Sequence, residues 1–336
     1  MKIKKIIPYI FSFIIMIVCI YYFLIFFRWF FLDANFLGDV SMCHVSGACW
    51  IYVIDNFKIL MFGIYPSDQL WRVYVISFVS MLCVFFILSP YPKHKSFVCV
   101  FSIIILPLAV YCLMYGSFNL VRVPTNYWGG LFLNLLISFI VITISFPIGL
   151  LLAIGRTSDY KIISLFTTFV IEIIRSVPLI TILFFATVIL PFFMYPENVY
   201  DKFIRILIMY SIFSACYLAE IIRGGLQSVQ VGQNEAARSL GLNEFQKLYL
   251  IILPQALRLS FPDIINQFIL IIKSSTLVTI VGLFDILTIV KTTLIDVKWA
   301  PYYKEAYTFV ALCFWLICYS LARYSQYIER GYKLYR

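Results

Sequence analysis

Residues 234–254 read NEAARSLGLNEFQKLYLIILP. Most of the surrounding chain is Phe, Ile, Leu and Tyr, yet this stretch carries charges of both signs and still patterns as helix. Gln233 or Asn234 offers a helix start, with Glu235 in the first turn, where the helix dipole favours an acid. Gly241 stands where a left-handed residue ends a helix. Asn243 is a good N-cap for a second helix, and Gln246 occupies its capping-box position. Pro254 is expected to stop that second helix. The spacing therefore predicts two short helices joined by a sharp bend. Ala236 and Ala237 would let another protein approach the first of them closely. A plain amphipathic loop lying on a membrane surface is the alternative.

The rest of the chain says what such a pair interrupts. Of 336 residues, 63% are hydrophobic, 19% aromatic and only 12% charged. A soluble domain carries about 25% charged residues. The composition points to an all-α, polytopic membrane protein embedded in a lipid bilayer. A spanning helix needs about 20 mostly apolar residues. Such segments lie near 6–31, 73–89, 97–115, 131–154, 162–192, 203–222, 260–284 and 306–322, so about eight transmembrane helices are expected. The first follows MKIKK, but its apolar run is too long for a signal peptide and no small-x-small cleavage site precedes Arg28. It reads as an anchor.

Lys and Arg set the orientation. With both termini cytoplasmic, one side receives Lys2, Lys4, Lys5, Lys93, Lys95, Arg156, Lys161, Arg223, Arg238, Lys247, Arg258, Arg323, Arg330, Lys333 and Arg336. The other side receives most acids, among them Asp33, Asp39, Asp55, Asp68, Asp285 and Asp296. The opening stretch then faces the cytoplasm. The net charge of +10 is mostly this bias, and no separate basic patch suggests nucleic acid. Functionally the chain divides near residue 128, where Gly129 and Gly130 mark a break. Residues 1–127 form an accessory region with three helices and an outer loop near 32–72. Residues 128–336 form the working core with five helices and a cytoplasmic loop at 223–258.

Most of the nine cysteines lie in apolar segments and behave as small hydrophobes. Cys43 and Cys49 lie outside; they are either free or joined in an oxidising compartment. His44 lies between them, but two Cys and one His lack a fourth ligand, and no metal site is expected. His44 and His94 both fall in loops. No His-Glu-x-x-His helix, Gly-x-Ser-x-Gly elbow or phosphate-binding Gly-x-x-x-x-Gly-Lys loop occurs, so no catalytic residues are expected.

Ionisable residues inside apolar segments are costly and therefore informative. Glu172 and Arg175, spaced i, i+3, can pair on one helix face. Counting from Lys161 places them near mid-bilayer. Pro178 should break or kink that helix. Lys273 is followed by Ser274, Ser275 and Thr276 and lacks a local acid. These six residues are candidates for a polar substrate path; a staple between helices is the alternative for Glu172 and Arg175. Glu220 and Arg223 read as a local ion pair anchoring the cytoplasmic loop.

Glu235-Ala236-Ala237, Gly241 and Ile251-x-Leu253-Pro254, at their spacing, resemble the EAA signature of permease subunits of ATP-binding-cassette importers. WGGLFLNLLIS, IEIIRSVPLITILFF, YLAEIIRGGLQSVQVGQ and NQFILIIKSSTLVTIVGLFDIL are similar to the polar amino acid branch of that family. Ser176 and Ser274 depart from it, where Gly and Asp are common. The resemblance covers about residues 125–325, and the three N-terminal helices resemble the longer permeases of general L-amino acid importers. It implies a bacterial inner-membrane permease forming half of a translocation pathway. Its partners would be a second permease in a heterodimer, a cytoplasmic ATPase and a periplasmic amino-acid-binding protein. Glu235, Ala236, Ala237, Gly241, Ile251, Leu253 and Pro254 would couple to the ATPase. The chain would bind no cofactor itself, ATP being used by the partner subunit. An ion-driven carrier, or a structural subunit of another membrane complex, is the other functional class.

Overall fold

The computed structural model describes residues 2–43, 47–88, 95–117, 119–194 and 200–333. His44, Lys93, His94 and Arg336 lie outside the described residues. Helices dominate: α1 (Lys2–Phe27), α2 (Ile51–Asp55), α3 (Phe57–Phe62), α4 (Leu70–Leu88), α5 (Lys95–Val100), α6 (Leu106–Tyr115), α7 (Gly130–Arg156), α8 (Lys161–Ser176), α9 (Leu179–Phe184), α10 (Lys202–Gln227), α11 (Val231–Ser239), α12 (Glu244–Lys247), α13 (Leu253–Ser274), α14 (Ile286–Thr293) and α15 (Tyr303–Lys333). The one strand among the described residues, β1, is Phe284–Asp285.

The protein is all-α and polytopic. Six helices are long and apolar enough to cross a membrane, or seven if a bent pair counts as one span. That pair is Lys161–Ser176 with Leu179–Phe193, bent by 99°. The break falls where expected: Val177 and Pro178 leave helical geometry, and Pro178 caps α9. The expected segment 97–115 coincides with a shorter apolar helix, Phe101–Tyr115. The expected span at 260–284 begins earlier, because helix runs unbroken over Glu244–Thr279.

The chain forms two compact units. One comprises Met1–Leu60 and Val290–Leu312. Here Cys43 and Cys49 are joined in a disulfide. The Cys49 amide donates to buried Glu305 Oε1 at 3.1 Å. The Tyr52 and Thr293 hydroxyls lie 2.7 Å apart. Within this unit, then, the segment after α1 is bonded to residues 293–305. None of the α1 window at Phe11–Leu32 is buried.

The other unit comprises Met61–Ile289 and Cys313–Arg336. Its centre is α10, held between α7 and α13 by small residues. A Cβ on Gly149 of α7 would meet Leu218 Cβ at 2.8 Å and the Ala215 carbonyl at 2.9 Å. A Cβ on Gly225 of α10 would meet the Ala256 carbonyl of α13 at 2.6 Å. Glycine lets helix backbones approach closely in lipid, where van der Waals contact drives association. The last part of α15 packs through Cys318 on Ile265, Ile269 and Ile272 of α13. The expected break before α7 is present: Gly130 takes φ +68°, and Gly129 and Gly130 bridge to Phe284 and Asp285 of β1.

Candidate coupling loop and ion cluster

The helix pair of the opening stretch is present, and its bend is built by Gly241. This residue takes φ +73°, the left-handed region. The Gly241 amide donates to the Arg238 carbonyl at 2.9 Å and the Leu242 amide to the Ala237 carbonyl at 3.2 Å. These are the two bonds of a Schellman C-cap, which satisfy carbonyls that a helix end leaves free. Asn243 then starts α12 with a full capping box. Its Oδ1 accepts from the Gln246 amide at 2.8 Å, and its own amide donates to Gln246 Oε1 at 3.1 Å.

Two details differ from the sequence reading. The first helix, α11, begins at Val231 after Gln230, not at Gln233 or Asn234. Glu235 is therefore its fifth residue and lies beyond the first turn. The cause is upstream: α10 runs to Gln227, and an extended Gln230 reverses the chain at once. Nor does Pro254 stop the second helix. A π turn at Leu248–Ile252 joins α12 to α13, and Pro254 falls in the first turn of α13. Pro254 closely follows this π turn, and a local π adjustment of that kind is one way a continuous membrane helix accommodates a proline's missing N–H.

The pair is rigid. Glu244 pairs with Lys247 on its own helix and with Arg238 of α11 at 3.5 Å. Gln255 Nε2 of α13 donates to Gln233 Oε1 at 3.1 Å. Val229, Ile252 and Ala256 make a small core beneath it, with Ile251 packed alongside. Ala237 is buried against this support while Glu235, Ala236, Gly241 and Pro254 are exposed. Val231, Leu240, Phe245, Tyr249 and Leu250 also stand exposed.

The six candidate path residues fall into two groups. Glu172 does not pair with Arg175. Its Oε1 accepts from Arg156 Nη2 at 2.7 Å. Arg156 is the last residue of α7, so Glu172 is tied to that helix end. Arg175 instead lies 3.6 Å from Glu220 and over the Tyr217 ring. Glu220 also takes Arg156 at 2.9 Å and Arg223 Nε at 3.0 Å. The expected Glu220–Arg223 pair is thus present within a larger cluster. Arg156, read from sequence only as an inside charge, sits at its middle. A cavity of about 380 Å³ opens beside Glu220, lined also by Gly224, Ser228, Ser260 and Asp263.

Lys273 to Thr276 lie where α13 tightens into a 3₁₀ turn. Lys273 is exposed, and among the described residues no acid pairs with it. Thr276 bonds back to the Lys273 carbonyl at 2.9 Å. Ser275 is buried and accepts from Asn134 Nδ2 of α7 at 3.1 Å. Asn134 also donates to Asp285 Oδ2 at 3.3 Å, and its Oδ1 accepts from the Ile286 amide at 3.0 Å. Fully buried Asp285 accepts as well from the Thr279 hydroxyl at 2.5 Å and the Thr288 hydroxyl at 2.9 Å. Asp285 is therefore no solvated outer charge. Thr279 and Thr288 are near neighbours in the chain, but Asn134 lies 151 residues away, a pairing that no local pattern announces. The lone Asn134 in an apolar run was the one available signal.

Residues 145–334 match the family described as binding-protein-dependent transport system inner membrane component. The chain is 42% identical over 310 residues to the inner membrane amino-acid ABC transporter permease protein YhdY of Escherichia coli (strain K12), covering 91% of this chain and 84% of that protein. It is 34% identical to the glutamate/glutamine/aspartate/asparagine transport system permease protein BztC of Rhodobacter capsulatus, covering 86% and 80%. A crystal structure of an amino acid ABC transporter with histidines matches with TM-score 0.54 and 31% identity, over 60% of this chain and 92% of that one. The chain therefore belongs to the family of binding-protein-dependent transport system inner membrane components and is a multi-pass permease subunit of an ABC-type importer.

Proposed function

We propose that this permease carries amino acids inward, forming half of the translocation pathway with a second permease. A cytoplasmic ATPase docks on residues 223–258, and a periplasmic binding protein delivers the substrate. Both termini face the cytoplasm and the chain crosses the membrane eight times, counting the bent pair and Phe101–Tyr115. Residues 128–336 do this work, and residues 1–127 are accessory. The substrate class rests on the amino acid permeases to which the chain is similar. Lys273, with Ser274, Ser275 and Thr276, offers a cation and hydroxyls to a zwitterion's carboxylate.

The observation that carries the coupling reading is the capped bend at Gly241. It fixes the angle between two short helices whose exposed face holds Val231, Leu240, Phe245 and Tyr249. Glu235, Ala236 and Gly241 lie on the same loop and are open to a partner.

Gly241→Val tests it. An added Cβ meets nothing within 4 Å, so the substitution acts through the backbone alone. A side chain at left-handed φ costs about 1–2 kcal/mol, and more for a β-branched residue. The bend should shift and the first helix should miss its groove. In the purified complex, stimulation of ATP hydrolysis by loaded binding protein should fall about tenfold, which is roughly 1.4 kcal/mol of coupling. Membrane insertion should survive. Wild-type stimulation and uptake would reduce the loop to a surface feature.

A further inference from the structure

The Glu220 cluster joins elements that the coupling loop alone does not touch. α10 ends at Gln227 and α11 begins at Val231, so the first loop helix follows the end of α10 after three residues. Glu220 lies seven residues before that end, about two helical turns away. Its carboxylate gathers Arg223 of its own helix, Arg156 from the end of α7 and Arg175 from α8. Glu172 of α8 closes the ring by holding the other side of Arg156.

We propose that Glu220 is a positioning residue for coupling: it ties α7 and α8 to α10, so that movement of the coupling loop reaches all three helices together. This rests on the reading of 223–258 as the ATPase-coupling loop. The charge balance singles out Glu220. Three guanidinium groups are salt-bridged to two carboxylates here, and Asp263 lines the cavity beside Glu220. Without the Glu220 charge, the salt bridge that remains in this cluster is Glu172 to Arg156. Arg156, Arg175 and Arg223 then repel one another.

The dependence differs between the helices. α7 is also held to α10 by close packing at Gly149. α8 rests on the end of α7 where Thr167 meets Gly155. It packs on α10 through buried Ile171, which shares a core with Cys216, Leu218, Ala219 and Ile222. Beyond this core it reaches α10 through Arg175, whose guanidinium covers the Tyr217 ring and whose carbonyl accepts from the Tyr217 hydroxyl at 3.4 Å. Loss of the Glu220 charge should therefore leave the packed helices together while loosening the tie at the end of α8, next to the 99° bend that follows it.

The test uses the complete complex in vesicles and measures amino acid moved per ATP hydrolysed. Glu220→Gln keeps the shape and removes the charge. The expected result is continued ATP hydrolysis with uptake per ATP lowered about tenfold or more, and a partial return in Glu220→Asp. A mere staple would lower yield and thermal stability but leave the ratio unchanged in the fraction that assembles. That result overturns the proposal. If Glu220→Gln does not assemble, Glu172→Gln takes its place, since it loosens only the Arg156 side. It should lower the ratio a few-fold, and an unchanged ratio there overturns the proposal equally. Gly241→Val separates the two readings. If it uncouples while Glu220→Gln does not, only the role of Glu220 falls. If neither uncouples, the coupling loop itself has been misread.

Discussion

Asp285 joins α7, α14 and the turn after α13. It is fully buried and accepts from Asn134, Thr279 and Thr288, and among the described residues no cation is salt-bridged to it. Asp285→Ala leaves those donors unpaired in the interior, at about 1–3 kcal/mol for each group stranded. The variant should lose several degrees of thermal stability in detergent, as read by a melting assay on the purified complex. Asp285→Asn should fall between it and the wild type. Lys273 makes the opposite case, since it is exposed and supports nothing around it. Lys273→Met should leave assembly and melting unchanged while raising the apparent KM for the amino acid. Normal transport would show that the lysine merely reaches toward solvent. Sequence distinguished these two poorly. Lys273 was legible because a lone cation in an apolar run stands out. Asp285 was misplaced because Asn134, which joins it to α7, is distant in the chain. Gly241 was readable because a left-handed helix end is set by its own few residues.

Elements follow the same division between local and distant causes. The break at Pro178 and the Asn243 capping box appear where the sequence puts them, since each depends on neighbours within four residues. The start of α11 and the passage through Pro254 do not. The first depends on where α10 ends. The second depends on a π turn, whose own residues Leu248, Ile251 and Ile252 pack into the core beneath it. Helix pairing was not legible either, and here glycine carries it. Gly225 lies where the backbones of α10 and α13 come together, and any Cβ would strike a carbonyl at 2.6 Å. Gly225→Ala should push these helices apart, with a cost of about 1–3 kcal/mol typical of overpacking. Gly224, one residue away, has nothing within 4 Å of an added Cβ. Gly224→Ala is the matched control and should melt like wild type. Equal melting of the two variants would contradict the packing described here.

At the scale of the whole molecule, composition alone separates a membrane protein from a soluble one, and the Lys and Arg bias supplies the expected orientation. The division into two compact units was not legible. The first unit combines the N-terminal segment with residues 290–312, and it is held by a disulfide, a buried amide-to-Glu305 bond and a hydroxyl pair. Nothing in either segment taken singly names the other. The central claim is that the chain is a permease driven by a partner's ATP hydrolysis. It is tested most directly by amino acid uptake into vesicles holding the purified complex, with loaded binding protein outside and the energy source controlled inside. Uptake should require enclosed ATP, persist when ion gradients are collapsed, and fall in Gly241→Val. Uptake driven by an ion gradient without ATP would contradict the account and make the chain a secondary carrier.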